Sequence, residues 1–257
     1  MELEVLGLGV GAPLGAGCPC YAVRTQSTLL LLDFGPGALE QAWERKLLGR
    51  IDAIVISHMH LDHMLDLLPL SGEVAEEAIA ATVSEPRRPA VWVPRGRGPE
   101  ALGTLAEAVG SDPGRFGKAF ALGEYDDSEE LRVGELTLTF AATAHAGPCY
   151  GARVTDGSAT LVYGADGGFR EELVQFAAGA DLLLLESTFL DEGPELQRTG
   201  HMTGEQAATV AERAGAQRLV LTHTMPFREE TEENLRRARA RFPGDVELAR
   251  RGSVHPV

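Results

Sequence analysis

Ile51-Asp52-Ala53-Ile54-Val55-Ile56-Ser57 runs directly into His58-Met59-His60-Leu61-Asp62-His63. The first half is an apolar, β-branched run of the kind that makes a buried strand. The second half places three imidazoles and a carboxylate within six residues. These side chains therefore sit on the loop leaving a strand's carboxyl end, where α/β sheets tend to carry their chemistry. Imidazole combined with carboxylate suits zinc, manganese or iron. The plainer reading, solvated loop histidines with no shared role, leaves the rest of the chain unexplained.

Elsewhere in the chain, ligand-type residues again follow strand-like runs. Glu135–Thr143 alternates and leads into His145, Ala159–Tyr163 leads into Gly164-Ala165-Asp166, and Arg218–Thr222 ends at His223. Further strands are read at Glu2–Val10, Tyr21–Arg24, Thr28–Leu32, Ala90–Pro94, Gly151–Thr155 and Asp181–Glu186, with Asp156-Gly157 as a hairpin turn. Helices are read at Ala38–Leu48, with Leu39, Ala42 and Trp43 at core spacing, and at Glu73–Val83, Glu100–Gly110, Glu171–Ala178, Thr203–Ala214 and Glu230–Arg241. Leu61–Leu68 begins a helix or turn that Pro69 should interrupt. The glycines between Gly7 and Gly17 have the wrong spacing for a dinucleotide-binding fingerprint and fit a turn around Pro13. The order is mixed α/β, and one shared sheet edge would gather the ligands.

Composition narrows the function. The chain has 257 residues, 44% hydrophobic and 24% charged, with no linker or low-complexity tract, so a single domain over 1–257 is expected. No apolar stretch approaches the ~20 residues of a membrane helix. Met1-Glu2-Leu3-Glu4-Val5 alternates like a strand and lacks the basic flank of a signal peptide. Cys18, Cys20 and Cys149 are too few and too irregular for a disulfide framework. The expected compartment is the cytoplasm. The formal net charge of −15 argues against a general nucleic-acid binder, since phosphate contacts need Lys and Arg. Arg236, Arg237, Arg239 and Arg241 lie beside Glu229, Glu230, Glu232 and Glu233, which reads as a solvated helix with Glu-to-Arg pairs.

The set His58-x-His60-x-Asp62-His63, His145, Gly164-Ala165-Asp166 and Leu221-Thr222-His223 resembles the metallo-β-lactamase fold hydrolases over nearly the whole chain. Asp33-Phe34-Gly35-Pro36-Gly37 is similar to that family's first acidic turn. Within the family, His201-Met202-Thr203-Gly204-Glu205-Gln206-Ala207 and Cys149-Tyr150-Gly151-Ala152-Arg153 resemble the ribonuclease Z and small-phosphodiesterase subgroup, and the chain looks closest to short bacterial cyclic-nucleotide phosphodiesterase-like members. The resemblance implies a four-layer αβ/βα sandwich of two mixed sheets with helices outside, and a homodimer. It implies two divalent ions, zinc or manganese: His58, His60 and His145 would hold one, Asp62, His63 and His223 the other, with Asp166 between them. Such a pair can share a hydroxide and stabilise attacking and leaving oxygens.

Asp62 and His201 are the residues expected to act directly in catalysis. His201 would bind phosphate and protonate the leaving oxygen, a task suited to a near-neutral pKa. Glu186 would orient His201. Asp66 is a candidate neighbour of the ligands, with a local cap as the alternative. Arg153 is a candidate phosphate contact, with a structural ion pair as the alternative. His255 has no expected role. The sequence departs from the ribonuclease-like pattern in reading Gly-Ala-Asp-Gly at 164–167, which drops a hydroxyl beside the acid, and in lacking a long basic Gly/Pro-rich arm. The expected activity is a dinuclear-metal phosphodiesterase on a small substrate such as a 3′,5′-cyclic nucleotide, with a metal-bridging hydroxide as nucleophile. A tRNA 3′-processing endonuclease, a lactone or thioester hydrolase, and a non-catalytic metal-binding module are the alternatives.

Overall fold

The computed structural model describes residues 1–11, 15–72, 88–96, 98–225 and 228–257. Two seven-stranded sheets face each other. The first runs β14-β1-β2-β3-β4-β5-β6, from β1 (Glu2–Gly7), β2 (Cys20–Arg24), β3 (Leu29–Leu32), β4 (Ala53–Val55), β5 (Ala90–Pro94), β6 (Ala121–Tyr125) and β14 (Val254–Pro256). The second runs β13-β12-β11-β10-β9-β8-β7, from β7 (Glu130–Val133), β8 (Leu136–Ala142), β9 (Tyr150–Thr155), β10 (Thr160–Tyr163), β11 (Leu182–Glu186), β12 (Arg218–Thr222) and β13 (Asp245–Leu248). In each sheet one half is antiparallel and the other parallel: β3 to β6 in the first, β10 to β13 in the second.

The all-leucine strands show why both faces of these sheets are covered. Side chains alternate across a strand. Leu30 and Leu32 of β3 enter the core between the sheets, while Leu29 and Leu31 enter a second core under helices. Leu182 and Leu184 of β11 likewise join the central core, and Leu183 and Leu185 face the other helical layer. Leucine favours helices intrinsically. Burial on both faces, about 1.5–3 kcal/mol per side chain, overrides that preference here. The first helical layer includes α1 (Ala38–Glu44), α2 (Leu61–Met64), α3 (Leu67–Leu70), α4 (Gly98–Ala108) and α5 (Arg115–Ala119). The second includes α6 (Glu171–Phe176), α8 (Gly204–Ala214) and α9 (Arg228–Arg241), with the short α7 (Pro194–Thr199) nearby. The resulting order is helices, sheet, sheet, helices, as expected from the resemblance.

Several local expectations need correction. Trp43 is 49% exposed rather than a core residue, because α1 stops at Glu44 and Lys46 takes a left-handed φ of 57°. Pro69 does not interrupt a helix: it lies in the first turn of α3, where its missing N–H has no partner to lose. The read helix Glu73–Val83 and the turn around Pro13 lie outside the described residues. Among the described residues, no helix is long and apolar enough to cross a membrane. On α9, Glu233 pairs with Arg236 and Arg237, and Arg241 pairs with Glu212, as a solvated charged face requires.

Candidate metal centre

The carboxyl ends of the parallel strands deliver the site. Asp33 follows β3, His58 lies just beyond β4, Asp166 follows β10, Glu186 ends β11 and His223 follows β12. Three of these ends bend sharply: Asp33 (φ 61°), Ala165 (φ 51°) and His223 (φ 47°) all hold left-handed backbone. Such conformations cost on the order of 1–3 kcal/mol each and persist where the surroundings over-determine them. Gly35 allows the turn after β3 to press on the ligand loop, since a Cβ there would lie 1.8 Å from the Asp62 carbonyl oxygen. In the same contact the Phe34 amide donates to the His63 carbonyl at 2.8 Å.

All seven expected ligands converge. Donor atoms of His58, His60 and His145 lie within 4.8 Å of one another, as do those of Asp62, His63 and His223. The Asp166 carboxylate stands between the two trios. Its Oδ2 is 3.3 Å from Nε2 of both His63 and His223, 3.9 Å from His58 Nε2 and 4.0 Å from His145 Nε2. His63 Nε2, His223 Nε2 and Asp166 Oδ1 are buried without a hydrogen-bond partner. Buried polar atoms are normally satisfied. Three orphaned acceptor-capable atoms converging from three elements are what a bound cation would satisfy, so the donor set fits divalent metal ions.

The outer ring nitrogens are tied down, which fixes what the inner ones present. His63 Nδ1 donates to Asp33 Oδ2 at 2.8 Å and His145 Nδ1 donates to the Gly200 carbonyl at 3.0 Å. His58 Nδ1 lies 3.0 Å from Ser57 Oγ, and His223 Nδ1 lies 2.9 Å from Thr188 Oγ1. Each arrangement leaves Nε2 directed at the cluster, the usual device for setting a ligand's tautomer. His60 is the exception: its Nδ1 faces His58 Nε2 at 3.0 Å and His145 Nε2 at 3.1 Å.

Burial and charge act against each other across this cluster. Burial pushes His58 and His60 below the ordinary imidazole value. Burial would do the same to His63, but the Asp166 and Asp33 carboxylates raise it instead. Burial would raise Asp166, yet the facing His223 and His63 hold it well below the carboxylate range. Asp62 is likewise pulled below that range by His223 and His63, against the effect of its own burial.

His201 joins the cluster from the segment preceding α8, with a donor atom within 4.8 Å of those of His145 and Asp166. Its ring stacks on His223 at 5.5 Å between centroids. Glu186 Oε1 accepts from His201 Nδ1 at 2.8 Å and from the Gly167 amide at 2.7 Å, while Oε2 accepts from Thr188 Oγ1 and the Met202 amide. Burial lowers the His201 pKa, but the hydrogen bond and charge of Glu186 outweigh it and raise it above 6.5. The N-cap of α8 is Thr203, which forms a reciprocal capping box with Gln206, so His201 is not used as the helix cap.

Two expected neighbours lie elsewhere. Asp66 Oδ2 accepts from the Gly37 and Leu39 amides, both at 2.9 Å, and so caps the start of α1 instead of touching the ligands. Arg153 does not address the cluster: its Nη1 donates to the Phe176 and Ala178 carbonyls, both at 3.1 Å, at the end of α6. The sequence reading noted Asp33 as part of an acidic turn but gave it no role at the site. Asp33 is fully buried, and its carboxylate accepts from the Ser57 amide (2.6 Å), Ser57 Oγ (2.9 Å), His63 Nδ1 and Tyr163 OH (2.7 Å). An acid closing an all-apolar strand was the available signal. Thr188 was missed as well.

The beta-lactamase superfamily domain model matches residues 28–224, a span holding every one of these ligands. The chain belongs to the beta-lactamase superfamily. Its similarity to the probable metallo-hydrolase YhfI of Bacillus subtilis is 30% identity over 261 residues, covering 99% of both chains. The crystal structure of that metallo-beta-lactamase fold protein superposes with a TM-score of 0.86 at 28% identity, again over 99% of each chain. Ribonuclease Z of Myxococcus xanthus is 30% identical over 295 residues, covering 97% of this chain and 95% of the relative. This superfamily member therefore has the two-sheet metallo-β-lactamase fold along its whole described length.

Proposed function

We propose that this protein is a metal-dependent phosphodiesterase that hydrolyses a small diester, with a 3′,5′-cyclic nucleotide as the leading candidate. The supporting observation is His201. It stands beside a complete seven-ligand set without being needed as a ligand, and a buried glutamate keeps it protonated at higher pH than an ordinary histidine. In this reading His58, His60 and His145 hold one divalent ion, zinc or manganese, Asp62, His63 and His223 hold the second, and Asp166 serves both. When bound, the pair would supply Lewis acidity and activate water at neutral pH. The chain's own residues do the rest. Glu186 occupies His201 Nδ1, leaving Nε2 as the atom that exchanges a proton. Protonated His201 pairs with a phosphate oxygen and passes the Nε2 proton to the departing alkoxide. Asp33 and Thr188 hold the His63 and His223 rings in the tautomers the site uses.

A second reading, tRNA 3′-end cleavage, is favoured by the similarity to Ribonuclease Z from Myxococcus xanthus. It is opposed by the net charge of −15, because clamping a polyanion requires compensating cations. The deciding experiment incubates zinc- and manganese-loaded protein separately with cyclic AMP, cyclic GMP, bis(4-nitrophenyl) phosphate and a precursor tRNA. Metal-dependent cleavage of a small diester is expected, lost together with bound metal in Asp166→Ala. Salt-sensitive precursor cleavage without small-diester turnover would establish the second reading in its place.

A further inference from the structure

A cavity of about 710 Å³ opens beside the cluster, with His60 on its wall. That volume lies within the range of small-molecule sites. One side is a single helix face: Ala101, Thr104, Leu105 and Ala108 of α4 recur at helical spacing and line the cavity, while Leu102 and Ala106 turn into the core. The opposite side is the ligand loop itself, through Met59, Leu61 and Met64. Leu61 is 60% exposed, an apolar side chain left in water two residues from a buried ligand. Among the described lining residues, the ionisable groups are His60 and Glu100, and neither Lys nor Arg contributes. An uncharged ring would meet methyl groups and two thioethers, which pack favourably against aromatic edges.

We infer that this cavity binds an uncharged aromatic body attached to the reacting phosphate, so that the substrate is a ring-bearing small phosphoester. The inference rests on the phosphodiesterase reading for its reaction, but not for its binding. The probes are phenylphosphonate and methylphosphonate, titrated calorimetrically into the metal-loaded protein, where they share a headgroup and differ only in the body. Phenylphosphonate should bind roughly tenfold tighter or more, the scale of burying one aromatic ring. Ala101→Trp fills the cavity from the helix side and should collapse that preference. Thr104→Trp, at an exposed position outside the core, does the same without disturbing α4 packing. Metal content and thermal midpoint report whether each variant is folded. Equal binding of the two probes by the wild type, or a phenyl preference surviving both tryptophans, would overturn the inference. A phenyl preference in a protein that cleaves no diester would leave the cavity assigned and remove the reaction instead.

Discussion

Asp33→Asn is the sharpest perturbation the site offers, because it removes one charge while leaving the backbone at ease. Asn tolerates the left-handed region that Asp33 occupies at φ 61°, so any loss comes from the side chain. The carboxylate accepts four hydrogen bonds, from the Ser57 amide, Ser57 Oγ, His63 Nδ1 and Tyr163 OH. A carboxamide can keep its oxygen toward the last three, but its NH2 then faces the Ser57 amide. That leaves a buried N–H unpaired, at about 1–3 kcal/mol. The three retained bonds lose their charge assistance, at roughly 0.5–1 kcal/mol each. The sum is about 2.5–6 kcal/mol, large against a typical stability of about 5–15 kcal/mol. Because the lost partner also sets the His63 tautomer, metal affinity should fall about 10–100-fold. Urea denaturation of chelator-treated protein reads the first effect, and competition with a chromogenic chelator reads the second. Unchanged metal affinity in a destabilised variant would mean that Asp33 serves the fold alone, and the role assigned to it in orienting His63 would be wrong.

Glu186→Gln should move the alkaline limb of the kcat profile to lower pH, because the glutamate is what raises His201 above 6.5 against burial; a pH–rate profile with an unmoved limb would detach His201 from that glutamate. The same raised pKa gives a stability contribution that is full below about 6.5 and lost as pH climbs through the folded value, so the chelator-treated wild type should lose stability across that window and Glu186→Gln should not. Arg153→Ala removes two bonds to the end of α6 and should cost about 0.5–2 kcal/mol in urea denaturation with kcat/KM on small diesters preserved; a rise in KM would restore the phosphate contact that the structure argues against.

The sequence made the interior of each sheet legible and left its borders hidden. Ten strands announced themselves through β-branched or leucine-rich runs, apolar alternation or a hairpin turn, and each of them is buried on at least one face. The four that did not, β6, β7, β13 and β14, are the four sheet edges. An edge strand has one neighbour and fewer side chains to bury, and it commonly carries charge that blocks pairing with other molecules. Glu130-Leu131-Arg132-Val133 and Asp245-Val246-Glu247-Leu248 have that composition and lack a strong apolar signature. The expected ligands were legible by type because imidazoles are scarce and all seven expected ligands fall after strand-like runs or in one motif. Asp66 and Arg153 were left with two readings each for the opposite reason. Acids and guanidiniums have many structural uses, and only coordinates reveal that one caps α1 and the other holds the end of α6.

The part of the site that no motif conveys is how it is divided between the sheets. The loop after β4, in the first sheet, supplies His58 and His60 to one trio and Asp62 and His63 to the other. In each case the third ligand comes from the second sheet, His145 beyond β8 and His223 beyond β12, as does the shared Asp166 beyond β10. Neither of these two trios comes from one sheet alone, so cations bound in them would clamp the two sheets at one edge of their common core. Asp33 spans the same gap, taking His63 from its own sheet and Tyr163 OH from β10 of the other. The left-handed bend at Asp33 is held from both sheets, by Ser57 and His63 of its own and Tyr163 of the other, while the bend at His223 is held by Thr188 of its own sheet. Metal binding there and sheet packing would therefore be one linked equilibrium: a substitution that loosens the Asp33 junction should weaken metal affinity even though it touches no metal, and metal should in turn restore part of the stability that such a substitution removes.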